Sequence, residues 1–255
     1  MRADYEIVTE RWQMPASPEQ MAMQYCRYQM AGDLAENRDV LEIGCGTGMG
    51  LAYLVQRARR AVGIDINSAL LQEARSHLPD VELREGDAGA LPFPDQSFDV
   101  LLMLEMLYYV TDIDQALEEC RRVLRPAGIL FVCLPNCDRP DFNPSPFAVR
   151  YPNVPELADA LARSGFVPTM YGGFPIEASS SRDHLLNPVR RIAVRLHLIP
   201  RSMRAKAIVK RLLYGPLQKM DRVRAGMAQY VPPVEITQSN STTQFKNIYA
   251  IARVP

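Results

Sequence analysis

The chain has 255 residues, of which 47% are hydrophobic and 23% charged, and 29 Lys or Arg balance 29 Asp or Glu. This length and apolar content suit one large α/β domain with a real core, or one domain with an insertion. A net charge of zero gives the whole molecule no reason to bind a polyanion, and five scattered cysteines are too few for a disulfide framework.

The first residues, MRADYEIVTERWQMP, contain no apolar stretch of the signal-peptide kind. No later run approaches the roughly 20 apolar residues of a spanning helix, so the chain is expected in the cytoplasm. A helix is predicted over 18–36, with Ser17 as its cap, Pro18 in the first turn and Gln20 closing a capping box. A short strand, Asp39–Ile43, then runs into glycines, and residues 49–59 return to helical spacing. Residues 61–66 read as a buried strand and Ser68–His77 as a helix that Pro79 ends. Residues 81–86 alternate like a strand, and 98–104 form the continuous apolar run of a strand buried on both faces.

An amphipathic helix follows at 112–124, broken by Arg125-Pro-Ala-Gly128, and 129–134 make another strand. Cys133 and Cys137 lack the second Cys or His pair that a zinc site needs, so buried thiols and no metal are expected. Residues 135–153 read as a loop, Val154–Ser164 as a helix, Phe166–Phe174 as a strand and Phe245–Val254 as a closing strand. Strands alternating with helices at this spacing predict βαβ units and a doubly wound, mostly parallel sheet. Ligands of such sheets sit outside the carboxyl ends of the strands, near the switch in strand order.

Gly44, Gly46 and Gly48 stand where that switch is expected. Glycines after a strand allow a tight turn and bring backbone close to a ligand. The spacing is G-x-G-x-G; the third glycine of a dinucleotide fingerprint would fall at Met49, which counts against a nicotinamide cofactor. Asp65 ends the second strand, where a carboxylate can accept from both hydroxyls of a ribose or, alternatively, cap the next helix. Asp87, after the third strand, can accept from an exocyclic amine. Glu42 lies inside the first strand, where an unpaired carboxylate is costly, and so serves a buried network or a bound amine.

The ordered series VLEIGCGTG, GIDI, GDAGALPFPDQSFDVLLMLEMLYYV and RVLRPAGILFVCLPN resembles the motifs of class I S-adenosylmethionine-dependent methyltransferases of the UbiE/UbiG-like type, over roughly residues 39–136. The resemblance implies a seven-stranded Rossmann-like sheet with an antiparallel last strand, and S-adenosylmethionine as cofactor. It places Gly44, Cys45, Gly46 and Gly48 beside the methionine and ribose, with Glu42 organising the turn. Asp65 would hold the ribose hydroxyls, Ile66 would pack on adenine, Asp87 and Ala88 would meet the adenine edge, and Leu104 would offer backbone to the methionine amine. The implied division is a single domain with a helical lid at 1–38, a cofactor-binding core at 39–136 and a substrate-side half at 137–255.

For transfer to an O or N atom, placing the acceptor in line with the methyl supplies much of the rate, since proximity and orientation are worth roughly 7–11 kcal/mol. Related families often have a histidine after the fourth strand; here that segment is Leu107-Tyr-Tyr-Val110, so histidine-assisted transfer is not expected. Glu105 and Tyr109 are the candidate acceptor-side residues, each with a structural alternative, and His77 is expected on the surface. Residues 182–224 carry twelve Lys or Arg against Asp183 and Asp221, a net charge of +10. They lie in an insertion expected at about 177–240 as amphipathic helices. Solvated cations on a helical cap explain that charge, and so does an anionic lipid surface or carrier-linked substrate; nucleic acid ranks lower. A sugar, lipid-linked glycan intermediate or secondary metabolite are the acceptors considered, and a non-catalytic binding module on the same fold is the alternative.

Overall fold

A computed structural model describes residues 10–176, 217–237 and 242–255. In chain order the strands are β1 (Pro15–Ala16), β2 (Asp39–Ile43), β3 (Arg60–Asp65), β4 (Glu82–Glu85), β5 (Phe98–Leu104), β6 (Leu124–Pro135), β7 (Val167–Pro175), β8 (Gln218–Lys219), β9 (Val234–Glu235) and β10 (Phe245–Arg253). The helices are α1 (Pro18–Ala35), α2 (Leu51–Leu54), α3 (Ser68–His77), α4 (Ile113–Val123) and α5 (Val154–Arg163). One sheet runs β4-β3-β2-β5-β6-β10-β7-β9; β4 through β6 are parallel, and β10 is antiparallel to both its neighbours.

The sheet is buried because helices cover both faces. Along β5, Leu101 and Met103 pack with Leu117 and Cys120 of α4 and Leu157 and Leu161 of α5. The alternate residues Val100, Leu102 and Leu104 pack with Tyr25, Cys26 and Tyr28 of α1 and Tyr53 of α2. This period of two inside one apolar run is what a strand with two dry faces requires. From β2 the chain winds outward to β3 and β4, then crosses back to β5 on the other side of β2. The glycine turn follows β2, at that reversal.

Four expectations are corrected. Residues 49–59 form a helix only over Leu51–Leu54, because the chain turns back at once and Arg57 lies over the Tyr53 ring. Arg125-Pro-Ala-Gly128 does not separate α4 from a later strand; β6 starts at Leu124, with a register shift opposite Phe98 and Val100 absorbing the irregularity. The sheet has eight strands among the described residues, the eighth being the two-residue edge strand β9. The insertion expected as helical falls mainly at 177–216, outside the described residues, but its described end at 217–237 is extended or turned, containing β8 and β9.

That end is fastened to the N-terminal segment. β8 pairs with β1, Gln13 N–H donates to Met220 O (2.9 Å), and Met220 packs with Ala16 and Met49. The lid expected at 1–38 is therefore composite: residues 1–9, with Tyr5, lie outside the described residues, whereas Tyr25 and Tyr28 are core side chains of α1. The Ser17–Gln20 capping box forms as predicted. The five cysteines are free, four of them buried, and among the described residues no helix is long and apolar enough to cross a membrane.

Candidate functional site

A cavity of about 330 Å³ opens at the carboxyl ends of β4, β3, β2 and β5. Four adjacent strands at the usual spacing make a trough roughly 14 Å long, enough for an extended ligand. It is lined by Gly44 and Gly46 after β2, Asp65 and Ile66 at β3, Asp87 and Ala88 after β4, and Glu105, Met106 and Tyr109 after β5. Eight of the predicted site residues thus share one cavity.

The glycine turn owes its shape to backbone that other residues rarely adopt: φ is +74° at Gly44 and +54° at Gly46. A Cβ on Gly46 would meet no protein atom within 4 Å, so that face of the turn is left open to the cavity. Asp65 locks the turn, since its Oδ2 accepts from Gly46 N–H (2.8 Å) and its Oδ1 from Asn67 N–H (2.8 Å). Burial raises the Asp65 pKa, against the lowering by these backbone donors. The cap of α3 is Asn67, whose Oδ1 accepts from Ala69 and Leu70 N–H. Asp65 is thus free of that duty and lines the cavity. Ile66 beside it is 52% exposed, an apolar shelf for a flat ring. Asp87 is exposed, held by Gly89 N–H on Oδ1 (2.8 Å), and Gln115 Nε2 donates to Gly89 O (3.0 Å) to brace that loop.

Four predicted residues do not line the cavity. Glu42 is only 2% exposed behind the turn; its Oε1 accepts from Tyr28 O–H, and its Oε2 is buried without a partner. Cys45 turns its sulfur under the sheet, 2.8 Å from where a Cβ on Gly63 would stand. Gly48 is required by its backbone, whose φ of +75° L side chains rarely adopt, and it packs against Leu78. Leu104 buries its side chain in the α1-side core.

Glu105 has φ +59°, a backbone state costly for a residue with a side chain and frequent at functional positions. Its Oε1 accepts from Asn247 Nδ2 (3.1 Å) and Cys133 Sγ (3.6 Å), its Oε2 from Tyr108 O–H (3.4 Å). Burial pushes its pKa up to about 7, against the pull of Arg27. Tyr109 tilts against Tyr108, which stacks on Tyr151 (4.6 Å), and Phe142 closes the ring cluster. A second cavity of about 420 Å³ adjoins across Val110–Asp112, lined by Val149, Pro152, Leu157 and Ala160 and rimmed by the Arg150–Glu156 and Arg163–Asp114 pairs. His77 is exposed, stacked on Trp12 at 4.1 Å.

Sequence reasoning missed Arg27 and Asn247. Arg27 is 3% exposed and ion-paired with Glu10, next to the Glu42–Tyr28 bond. The available signal was a lone arginine amid Met, Tyr and Ala on a helix bound for the core. Asn247 gave no signal, because its role depends on β10 inserting between β6 and β7.

From β4 to β2 the trough therefore offers an amine acceptor, a diol acceptor with an apolar shelf, and an open glycine turn, with an unpartnered carboxylate oxygen buried behind that turn. That set fits a nucleoside carrying a cationic amino-acid tail. Comparison with known proteins agrees. Residues 41–132 match the model of a family described as a methyltransferase domain. A probable S-adenosylmethionine-dependent methyltransferase of Mycolicibacterium smegmatis is 38% identical over 145 residues, covering 54% of this chain and 56% of that protein. A fatty-acid O-methyltransferase of the same organism is 41% identical over 97 residues, 36% of this chain and 35% of the relative. The chain thus spans about half the length, or less, of these curated relatives. Among solved structures, a methyltransferase of Thermotoga maritima, described as a possible histamine N-methyltransferase, shares the fold with a TM-score of 0.59 at 17% identity, over 92% of this chain and 90% of its own. Residues 41–132 thus resemble a methyltransferase domain, on a fold shared with a solved S-adenosylmethionine-dependent methyltransferase.

Proposed function

We propose that this chain transfers the methyl group of S-adenosylmethionine to an oxygen or nitrogen of a small molecule with an apolar, lipid-like body. The observation that carries the reading is the shared trough, in which Asp87, then Asp65 with Ile66, then the open side of Gly46 follow one another from β4 through β3 to β2. When bound, the cofactor supplies a methyl group on a sulfonium, whose S–C electron pair leaves with sulfur as the acceptor's lone pair forms the new bond.

The protein's part is to hold and align. Asp65 accepts from the ribose hydroxyls, Ile66 supports the adenine, Asp87 and Ala88 meet its edge, and Gly44 and Gly46 give backbone along the methionine arm. Glu42 Oε2, Cys45, Gly48 and Leu104 act from behind the turn, keeping its shape and charge. Glu105 takes the proton that an O–H or N–H acceptor must lose, and Tyr109 presents its ring at the mouth. The apolar side chains of the trough beyond β5, Met106, Tyr109 and Val110, support a greasy acceptor, as does the existence of a relative named for fatty acids.

The test is incubation with methyl-labelled S-adenosylmethionine and a panel of fatty acids, hydroxylated lipids and lipid-linked sugars. Label in an organic-extractable product, with matching S-adenosylhomocysteine, is expected; cofactor binding without turnover on any acceptor would leave a binding module. We further propose that residues 182–224 bring the chain to an anionic lipid surface, from their net charge of +10. Sedimentation with vesicles containing anionic lipid is expected at low salt and not at high salt; no binding at low salt removes that idea.

A further inference from the structure

Behind the glycine turn and at the methionine end of the trough stand two carboxylates, Glu42 and Glu105, that share a single buried cation. Around Glu42 are Tyr28 and Arg27 of α1, Glu10 of the N-terminal segment, Asp65 at the end of β3 and Cys45 of the turn. Around Glu105 are the same Arg27 and Glu10, Cys133 of β6, Tyr108 and Tyr109 beyond β5, Tyr151, and Tyr249 and Asn247 of β10. Arg27 is already paired with Glu10. With both carboxylates ionised, four acidic groups (Glu10, Glu42, Asp65 and Glu105) stand against one guanidinium, and Glu42 Oε2 has no donor at all.

Burial pushes each of the two to about 7, so near neutral pH the pair retains a share of a proton. A ligand that brings positive charge repays the missing cation. By the ordinary ionisation of an amino acid, S-adenosylmethionine carries one net positive charge and its thioether product none. The two ligands otherwise offer the site the same groups.

We propose that Glu42 and Glu105 form a charge gauge: the sulfonium ligand expels a proton from the pair, whereas the thioether product does not. This rests on the reading of the trough as a seat for S-adenosylmethionine. The consequence for chemistry is one of timing. Loading the methyl donor leaves Glu105 ionised, ready to accept a proton. Methyl transfer would remove the ligand's positive charge, and Glu105 would then become more basic. The proton lost by the acceptor then settles on the pair, and the neutral product is held less tightly than the donor was.

The test is calorimetry of the full chain with S-adenosylmethionine and, separately, S-adenosylhomocysteine, in two buffers of different ionisation enthalpy at pH 7. Release of roughly half to one proton is expected with the sulfonium, and near none with the thioether. The ratio of the two Kd values should widen about tenfold between pH 6 and pH 8. In Glu105→Gln, proton release with the sulfonium should fall by about half or more and the preference for it over the thioether should shrink. Equal proton counts for the two ligands in the wild-type chain overturn the gauge and leave the functional reading standing. Failure of both ligands to bind overturns that reading and the gauge with it. The wild-type measurement decides the matter even where Glu42→Gln fails to fold.

Discussion

At Asp65 both carboxylate oxygens already accept backbone N–H groups, from Gly46 and Asn67, so the side chain that lines the cavity also shapes the turn. Asp65→Ala should weaken S-adenosylmethionine binding more than about tenfold, the scale of one bidentate, charge-assisted contact; unchanged affinity in calorimetry would refute the role. Glycines separate ligand effects from folding effects. Gly46→Ala meets no protein atom, so it should lower cofactor affinity through its Cβ in the trough while costing only about 1 kcal/mol in backbone strain. Gly50→Ala would place a Cβ 1.7 Å from the Tyr28 ring and should compromise folding. Asp65, Asp87 and the glycines were legible because a strand end followed by a polar or glycine residue is a local pattern. The partners of Glu42 and Glu105 were not, since Tyr28, Arg27 and Asn247 reach them from elements remote in sequence.

The elements that most constrain the turn from outside are its shortest. Trp12 donates its indole N–H to Thr47 O (2.7 Å) and stacks on His77, Arg11 pairs with Glu73 of α3, and β1 pairs with β8 alongside. This strap touches the turn and α3 but contributes little to the central core. Trp12→Ala should therefore weaken cofactor binding several-fold and expose the segment to protease, with the main unfolding transition nearly unmoved. A large loss of Tm would show instead that the strap is integral to the core. A two-residue strand has no sequence period, so the strap was invisible, and the segment read only as part of a helical lid at 1–38. The long elements were legible for the converse reason: β5 and α4 carry enough residues for apolar periodicity to emerge. Where backbone irregularity decides the boundary, as at the Leu124 start of β6, the pattern misled.

Across the whole molecule, acidic groups are sorted by location. At the amino ends of the strands Asp39 lies between Arg59 and Arg125, and Asp99 joins them. The arginine bonds hold Asp39 below its ordinary pKa; at Asp99 burial is outweighed by the Asp39 N–H and Arg125. At the carboxyl ends, burial raises Glu42 and Glu105 to about 7 and raises Asp65 as well. The two sets act on stability with opposite sign. For the lowered group, the unfolded chain binds more protons at acid pH, so its contribution is present above pH 4 and lost as pH falls through the folded pKa. For the raised group, the folded chain binds more protons between about 4.5 and 7, so stability declines as pH rises through about 7. The ligand-free protein should thus be most stable near pH 4–5, and its Tm at pH 8 should be lower by roughly 5 °C, the scale of one to two kcal/mol in a chain of this size. Glu105→Gln should flatten the alkaline side of the curve, because it removes one of the groups whose ionisation is penalised. Saturating S-adenosylmethionine should flatten it too, by supplying the charge that the buried carboxylates lack, whereas S-adenosylhomocysteine should raise Tm without changing the slope. Scanning fluorimetry from pH 4 to pH 9 with each ligand checks all three; a ligand-free curve that climbs through pH 7 would mean that these carboxylates are already ionised in the folded chain.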